Sequence, residues 1–195
     1  MKIILGSSSP RRKELLSKII KNFEIIPSNF DEDTIKQEQY EPEKLVETLS
    51  KLKGEEIYSR QKFNEDFIII SSDTMVFLNN QLLGKPKDKE ESFKMLKSLQ
   101  GNKHTVYTGL YVLINKNGSK EEILTNSKTD VYFRNVTDEE ITEYINSENT
   151  LDKAGAYAVQ GKAREFVEKI EGNIETVIGL DIEKLGKILE KNCIL

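Results

Sequence analysis

Cysteine is almost missing from these 195 residues. Cys193 is the only one, so no intrachain disulfide can form, which fits a reducing compartment. Cys193 itself is read as a packed or incidental thiol. Histidine is equally scarce. With His104 alone, metal sites built from His or Cys clusters are excluded. No nucleophile-elbow motif accompanies His104 to suggest a Ser-His-Asp hydrolase, and a structural or surface role is expected for it. No run approaches the ~20 apolar residues of a membrane span. The opening Met1-Lys2-Ile3-Ile4-Leu5 is too short for a signal-peptide core and is soon followed by Arg11 and Arg12. A cytoplasmic protein with no membrane partner is expected. Basic excess is lacking too: 29 Lys and Arg face 33 Asp and Glu, for a net charge of −4. Stable nucleic-acid binding is therefore not expected. There is no internal repeat, low-complexity tract or clear interdomain linker.

What is present is a globular balance. Apolar residues make up 37% and charged residues 32%, which argues against a disordered chain. The length suits one domain, taken as 1–195, with enough chain to bury a core. Ile3–Leu5 reads as a short buried strand. Gly6 to Ser9 follows as a turn, with Ser9 as N-cap and Pro10 at the first helical position. Phe23–Pro27 reads as a strand, Asn29 to Glu41 as an acidic loop, and Pro42 to about Ser59 as a helix. In that helix Leu45, Val46, Leu49, Leu52 and Ile57 share the buried side.

Phe67–Ile70 is a continuous apolar run, typical of an interior strand ending at Ser71, Ser72 and Asp73. Met75–Leu83 reads as a hairpin around Asn79-Asn80. Asp88 and Glu91 form a capping box before a helix that Gly101 stops. Thr105–Ile114 and Ile123–Phe133 are long strands joined through Asn117-Gly118. Thr137 and Glu140 make a second capping box. Asp152–Gly161 reads as a glycine-bearing loop or strand, Ile174–Ile178 as a short strand, and a last helix begins near Ile182. Together these elements predict an α/β fold with a mixed sheet.

Four groups of residues could carry chemistry. Ser7-Ser8-Ser9-Pro10-Arg11-Arg12 joins a strand, a small-residue turn and a helix start, so free backbone N–H groups and the positive helix end favour an anion. Two arginines in a first helical turn oppose the macrodipole, and their forked donors suit phosphate oxygens. The bland alternative is a capped helix with surface arginines. Asp73, at the predicted carboxyl end of a buried strand, lies where ligand crevices form in open α/β sheets. It could hold a divalent metal or act as a general base, or only cap a turn. Asp31-Glu32-Asp33 offers hard oxygens suited to Mg²⁺ or Mn²⁺, or a solvated acidic loop. Lys85 in Gly84-Lys85-Pro86 is held extended by the proline and could meet a phosphate. Lys85 and Lys53 are each also readable as surface lysines.

The chain also resembles the Maf family of septum-formation-inhibitor-like nucleotide pyrophosphatases. The resemblance runs through Ile4-Leu5-Gly6-Ser7-Ser8-Ser9-Pro10-Arg11-Arg12, Ser72-Asp73-Thr74, Leu83-Gly84-Lys85-Pro86, Leu99 to Gly101, and His104, Val106, Thr108 and Gly109. It continues in the most specific stretch, Asp152-Lys153-Ala154-Gly155-Ala156-Tyr157-Ala158-Val159-Gln160-Gly161, and closes on Val177-Ile178-Gly179-Leu180.

That resemblance implies an elongated mixed sheet flanked by helices, with two lobes and a central cleft, similar to the inosine-triphosphate pyrophosphatase fold. It implies hydrolysis between the α and β phosphates of a nucleoside triphosphate with Mg²⁺ or Mn²⁺, and a homodimer. It assigns Asp73 as proton acceptor and, with Glu32, as metal-holding acid. Ser7, Arg11, Arg12, Lys53 and Lys85 match phosphate-holding positions, and Arg11, Thr74 and Gln160 match positions tied to substrate choice. Thr74 and Gln160 resemble the branch acting on dTTP, UTP and modified uridine triphosphates, which cleanses nucleotide pools; a sister branch prefers 7-methyl-GTP. Chemically, the Gln160 amide can read a uracil edge. Two departures stand out: Thr48 where many relatives carry arginine, and Asp181 where proline is usual, the latter expected to serve as an N-cap. The rival readings are a purine-specific enzyme of the same fold and a non-catalytic regulator of cell division acting through a protein or nucleic-acid partner.

Overall fold

The computed structural model describes residues 1–194, with the backbone alone for Asp33. Its elements are the strands β1 (Lys2–Leu5), β2 (Glu24–Ile25), β3 (Phe67–Leu78), β4 (Gln81–Leu83), β5 (Lys103–Lys116), β6 (Ser119–Phe133) and β7 (Val167–Glu171). The helices are α1 (Pro10–Ser17), α2 (Pro42–Arg60), α3 (Lys89–Leu99), α4 (Asp138–Ser147), α5 (Ile174–Ile178) and α6 (Ile182–Lys191). The strands form one open seven-stranded sheet in the order β2-β1-β3-β5-β6-β7, with β4 paired to β3. β1 is parallel to β2 and β3, while β4 on β3 and β7 on β6 are antiparallel. The sheet is therefore mixed and flanked by helices, the α/β class that the alternating pattern predicts. No helix among the described residues is long and apolar enough to cross a membrane.

The chain divides into two compact units. The first comprises Met1–Asp73, Thr108–Ser127 and Gly179–Leu195; the second comprises Thr74–Tyr107 and Lys128–Ile178. In the first, Phe67, Ile68, Ile69 and Ile70 are fully buried, each contributing about 1.5–3 kcal/mol of transfer free energy. Ile4, Ile57, Tyr111 and Leu113 pack with Phe67 and Ile69. α2 lies close on β5 because two glycines permit it. A Cβ at Gly109 would collide with the Val46 carbonyl, and one at Gly54 with the Tyr111 ring. Leu45, Val46, Leu49 and Ile57 face inward as expected, whereas Leu52 is only half-buried. Asp181 does cap α6, accepting from the Lys184 amide at 2.9 Å, and it also accepts from the Ser127 hydroxyl at 2.6 Å.

The second unit builds its core from Leu96, Leu99, Val131, Phe133, Ile141, Tyr144, Tyr157 and Phe166, among others. Thr137 and Glu140 form the predicted capping box. At α3 the box is only half made. Asp88 accepts from the Glu91 amide, but the Glu91 carboxylate takes the Lys87 amide instead. Asn117-Gly118 and Asn79-Asn80 are the expected turns, with positive φ at all four residues.

Three expectations need correction, and one strand has no counterpart among them. Ile174–Ile178 is a helix, not a strand; the Asn173 side chain accepts from the Glu175 amide at 2.9 Å and caps it. β7 was not anticipated, because Val-Glu-Lys-Ile-Glu is short, charged and at a sheet edge. The strand expected over Phe23–Pro27 is confined to Glu24–Ile25. Most consequentially, β3 does not end at Asp73 but runs on to Leu78.

His104 lies in the second core. Its Nε2 is 2.7 Å from the Tyr157 hydroxyl, and its ring meets Phe133 and Tyr157 edge-on. Burial lowers its pKa from 6.5 to about 4, with Asp130 pulling weakly the other way. A depressed histidine is neutral in the fold and binds its proton in the unfolded chain first. Its stabilising effect is complete above the unfolded pKa and is lost as pH falls toward the folded one. From 6.5 down to about 4 the loss attributable to this group is about 3 kcal/mol. As His104 is the only histidine, its imidazole NMR signal should stay at the neutral position down to about pH 5; titration near 6.5 would show the ring to be solvated.

Candidate active site

β1 ends at Leu5, and its parallel pairing with β3 stops at the Leu5–Ile70 partners. The Gly6 amide still donates to the Ile70 carbonyl at 2.7 Å. The chain then turns away into α1 while β3 continues. Asp73 thus sits three residues past the last β1 partner, beside a vacated strand position. The strand end nearest Asp73 is that of β1, since Asp73 itself lies mid-strand.

The turn is internally bonded. The Ser7 hydroxyl accepts from the Ser9 amide and from Arg12 Nη1, both at 3.2 Å. Ser9 caps α1 by accepting from the Arg12 amide at 3.4 Å. Arg12 is not a surface arginine. Its Nε donates to the Gly179 carbonyl at 2.8 Å, which places the guanidinium inside the unit. Burial lowers its basicity, attraction to Asp73 and Glu32 partly offsets this, and Arg11 adds like-charge repulsion. Ser72 helps fix the same carbonyl: its hydroxyl lies 2.9 Å from Gly179 O and 2.8 Å from Gly109 O. Neither Gly179 nor Ser72 had been singled out as an orienting residue. Only their places in the matched motifs hinted at one.

Asp73, Lys53 and Glu32 meet. Lys53 Nζ lies 2.8 Å from Glu32 Oε1 and pairs directly with Asp73 Oδ1. The Lys53 and Asp73 side chains are 13% and 7% exposed, that of Glu32 34%. Lys53 is therefore no surface lysine, and one ammonium bridges two carboxylates from different elements. Glu32 opens a short 3₁₀ turn, Glu32–Thr34. Asp31 is exposed, and the Asp33 side chain, part of the same acidic cluster, lies outside the described residues.

The donor set fits a hard divalent cation. Asp73 Oδ2 is buried and has no hydrogen-bond partner among the described residues. A buried carboxylate oxygen left in that state is costly, and a hard cation is the partner its chemistry suits. Two carboxylates are what Mg²⁺ commonly takes alongside substrate phosphates and water.

Thr74, Lys85 and Gln160 belong to the second unit. Thr74 and Gln160 are half-buried and Lys85 is exposed. The loops carrying Lys85 and Gln160 are tied together there, because the Gly155 amide donates to the Gly84 carbonyl at 3.1 Å.

The model of the Maf-like protein family matches residues 2–192. A protein named dTTP/UTP pyrophosphatase from Clostridium perfringens (strain SM101 / Type A) is 46% identical over 191 residues, covering 97% of this chain and 96% of its own. One of the same name from Clostridium beijerinckii is 45% identical over 192 residues, 98% of this chain and 99% of its own. Another from Alkaliphilus metalliredigens is 44% identical over 191 residues, 98% and 96%. With the family model spanning nearly every residue and such relatives matching end to end, the chain belongs to the Maf-like protein family.

Proposed function

We propose that this protein is a nucleoside triphosphate pyrophosphatase that hydrolyses dTTP, UTP and modified uridine triphosphates in the cytoplasm, working as a single catalytic domain. The observation that carries the reading is the bridge from Lys53 to both Asp73 and Glu32, with Arg12 electrostatically coupled to the same carboxylates. The names of the full-length relatives support the substrate.

Charge explains why a metal belongs to the proposal. Arg11, Arg12 and Lys53 carry three positive charges against two negative ones on Asp73 and Glu32. The excess of one positive charge cannot by itself neutralise a triphosphate. Asp73 and Glu32 would hold Mg²⁺ or Mn²⁺, which when bound neutralises phosphate charge and acidifies water. Arg11, Arg12, Ser7, Lys53 and Lys85 bind the phosphates. Asp73 takes the proton of a water whose oxygen attacks the α phosphorus. The bond from that phosphorus to the bridging oxygen breaks, giving the nucleoside monophosphate and pyrophosphate. The cations stabilise the charge that builds on the leaving group.

The test is pyrophosphate release by the purified protein, with Mg²⁺ and no partner, across a nucleotide panel. The highest kcat/KM is expected for dTTP and UTP. Release from purine triphosphates alone would move the enzyme to another specificity, and no release from any would remove the activity. Thr74 and Gln160 are proposed to select the base. Gln160→Leu should lower kcat/KM for dTTP and UTP by roughly 10- to 100-fold, as expected when a base edge loses its buried hydrogen-bond partner. An unchanged ranking of nucleotides in that variant would take Gln160 out of base selection.

A further inference from the structure

Segment 26–31 contains no regular secondary structure, yet it leads directly into Glu32. Its backbone groups must find partners outside a ladder or helix. Two of them, the Asn29 amide and the Pro27 carbonyl, find theirs on one face of α2. Lys53, Glu56 and Arg60 stand at i, i+3 and i+7, a spacing that aligns side chains along a helix. Glu56 Oε2 accepts from the Asn29 amide at 2.9 Å and from the Ser28 hydroxyl at 3.0 Å. Glu56 Oε1 accepts from Arg60 Nε at 2.8 Å, and Arg60 Nη2 donates to the Pro27 carbonyl at 2.8 Å. Ser28 in turn accepts from the Phe30 amide at 3.0 Å. Two turns of α2 thus grip Pro27, Ser28 and Asn29, and one turn earlier Lys53 holds Glu32.

We infer that Glu56 is a positioning residue, which fixes the Pro27–Phe30 segment on α2 so that the Glu32 carboxylate is presented to the site. The Lys53 tether alone does not suffice during the reaction, because Lys53 is also a phosphate-binding group. When its ammonium turns to substrate, Glu32 is held only by the segment that precedes it. The bonds to Glu56 are charge-assisted and stronger than neutral ones. Burial disfavours the charged carboxylate, but the bonds from Arg60, Asn29 and Ser28 outweigh it and hold Glu56 below the usual carboxylate range. A plain helix-surface pair with Arg60 would account for one of these bonds and not for those to Asn29 and Ser28.

The inference rests on the proposed role of Glu32, and the test separates the two. Mn²⁺ binding to the full-length protein is followed by electron paramagnetic resonance without nucleotide, and amide exchange is followed over 28–34. In Glu56→Ala, Mn²⁺ affinity should fall about tenfold, the lower end of what loss of an outer-shell partner costs. Amides 28–34 should exchange about tenfold faster. Glu56→Gln keeps an acceptor for Asn29 and Ser28 and should recover most of both. Ser28→Ala removes one donor without touching α2 and should act in the same direction but less strongly, so the test does not hinge on one variant folding. In a Glu32→Gln background, Glu56→Ala should have no further effect on Mn²⁺ affinity. Weakened binding in Glu32→Gln with unchanged binding or exchange in Glu56→Ala overturns the positioning role alone. Unchanged binding in Glu32→Gln overturns the metal role of Glu32, and the positioning role with it.

Discussion

Asp73→Asn should lower dTTP turnover by at least ~100-fold, the usual scale for loss of a general base. The substitution keeps the shape of the side chain and an oxygen that can accept from Lys53, so the bridge on the Oδ1 side can persist. It removes the charge, and with it the basicity that proton removal from water needs. It also replaces the one buried carboxylate oxygen left without a hydrogen-bond partner among the described residues by an amide or a neutral carbonyl. Neither can hold a hard cation as a carboxylate does. The two proposed duties of Asp73 therefore fail together, and raising the Mg²⁺ concentration should not restore the rate. The control is a melting transition that stays cooperative, since Lys53 retains Glu32 as its partner. Turnover near that of the unaltered protein would take Asp73 out of both duties.

How much of this was legible in the sequence follows from the range of each interaction. Ser9 before Pro10, Thr137 three before Glu140, and Asn117-Gly118 between two apolar runs are local signals. Their hydrogen bonds span three residues or fewer, and each fixed an element where it was expected. α5 misled because Ile, Thr, Val and Ile read as a β-branched strand, while the decisive cap comes from Asn173 just outside the run. β7 was illegible because an edge strand needs little apolar alternation, and two of its five residues are glutamates.

The candidate site was legible as residue types but not as contacts. Lys53 is separated from Asp73 by 20 positions and Arg12 from Gly179 by 167. No local periodicity encodes such pairs. Each lysine or arginine taken alone is better explained as a solvated charge. What the ordered motifs added was the set of residues to watch. What folding added was the discovery that Lys53 is paired twice and that Arg12 is turned inward by a backbone carbonyl. Gly179, which supplies that carbonyl, has φ of 126°, a conformation that favours glycine, so the orientation of Arg12 depends on a residue with no side chain of its own.

The pairing of Lys53 also lets stability and catalysis be pulled apart. Lys53→Met preserves most of the side-chain volume and deletes the ammonium. Asp73, 7% exposed, then loses its direct ion pair, and Glu32 loses its partner as well. Breaking a buried pair from one side leaves an uncompensated charge, and about 3 kcal/mol of stability should be lost. Arg12 remains as an electrostatic partner of Asp73, which keeps the cost from being larger. Turnover should also fall by about 100-fold, since a cation proposed to meet developing phosphate charge is gone. The double variant Lys53→Met with Asp73→Asn removes the orphaned charge itself. Denaturant unfolding should show much of the lost stability returning, a coupling that only contacting residues give. Its turnover should be no better than that of either single variant, because both groups are proposed to take part in the chemistry. Additive stability losses in the double variant would mean that Lys53 and Asp73 do not pair in solution. The joint presentation of base and phosphate-binding cation on which the proposed activity depends would then be gone.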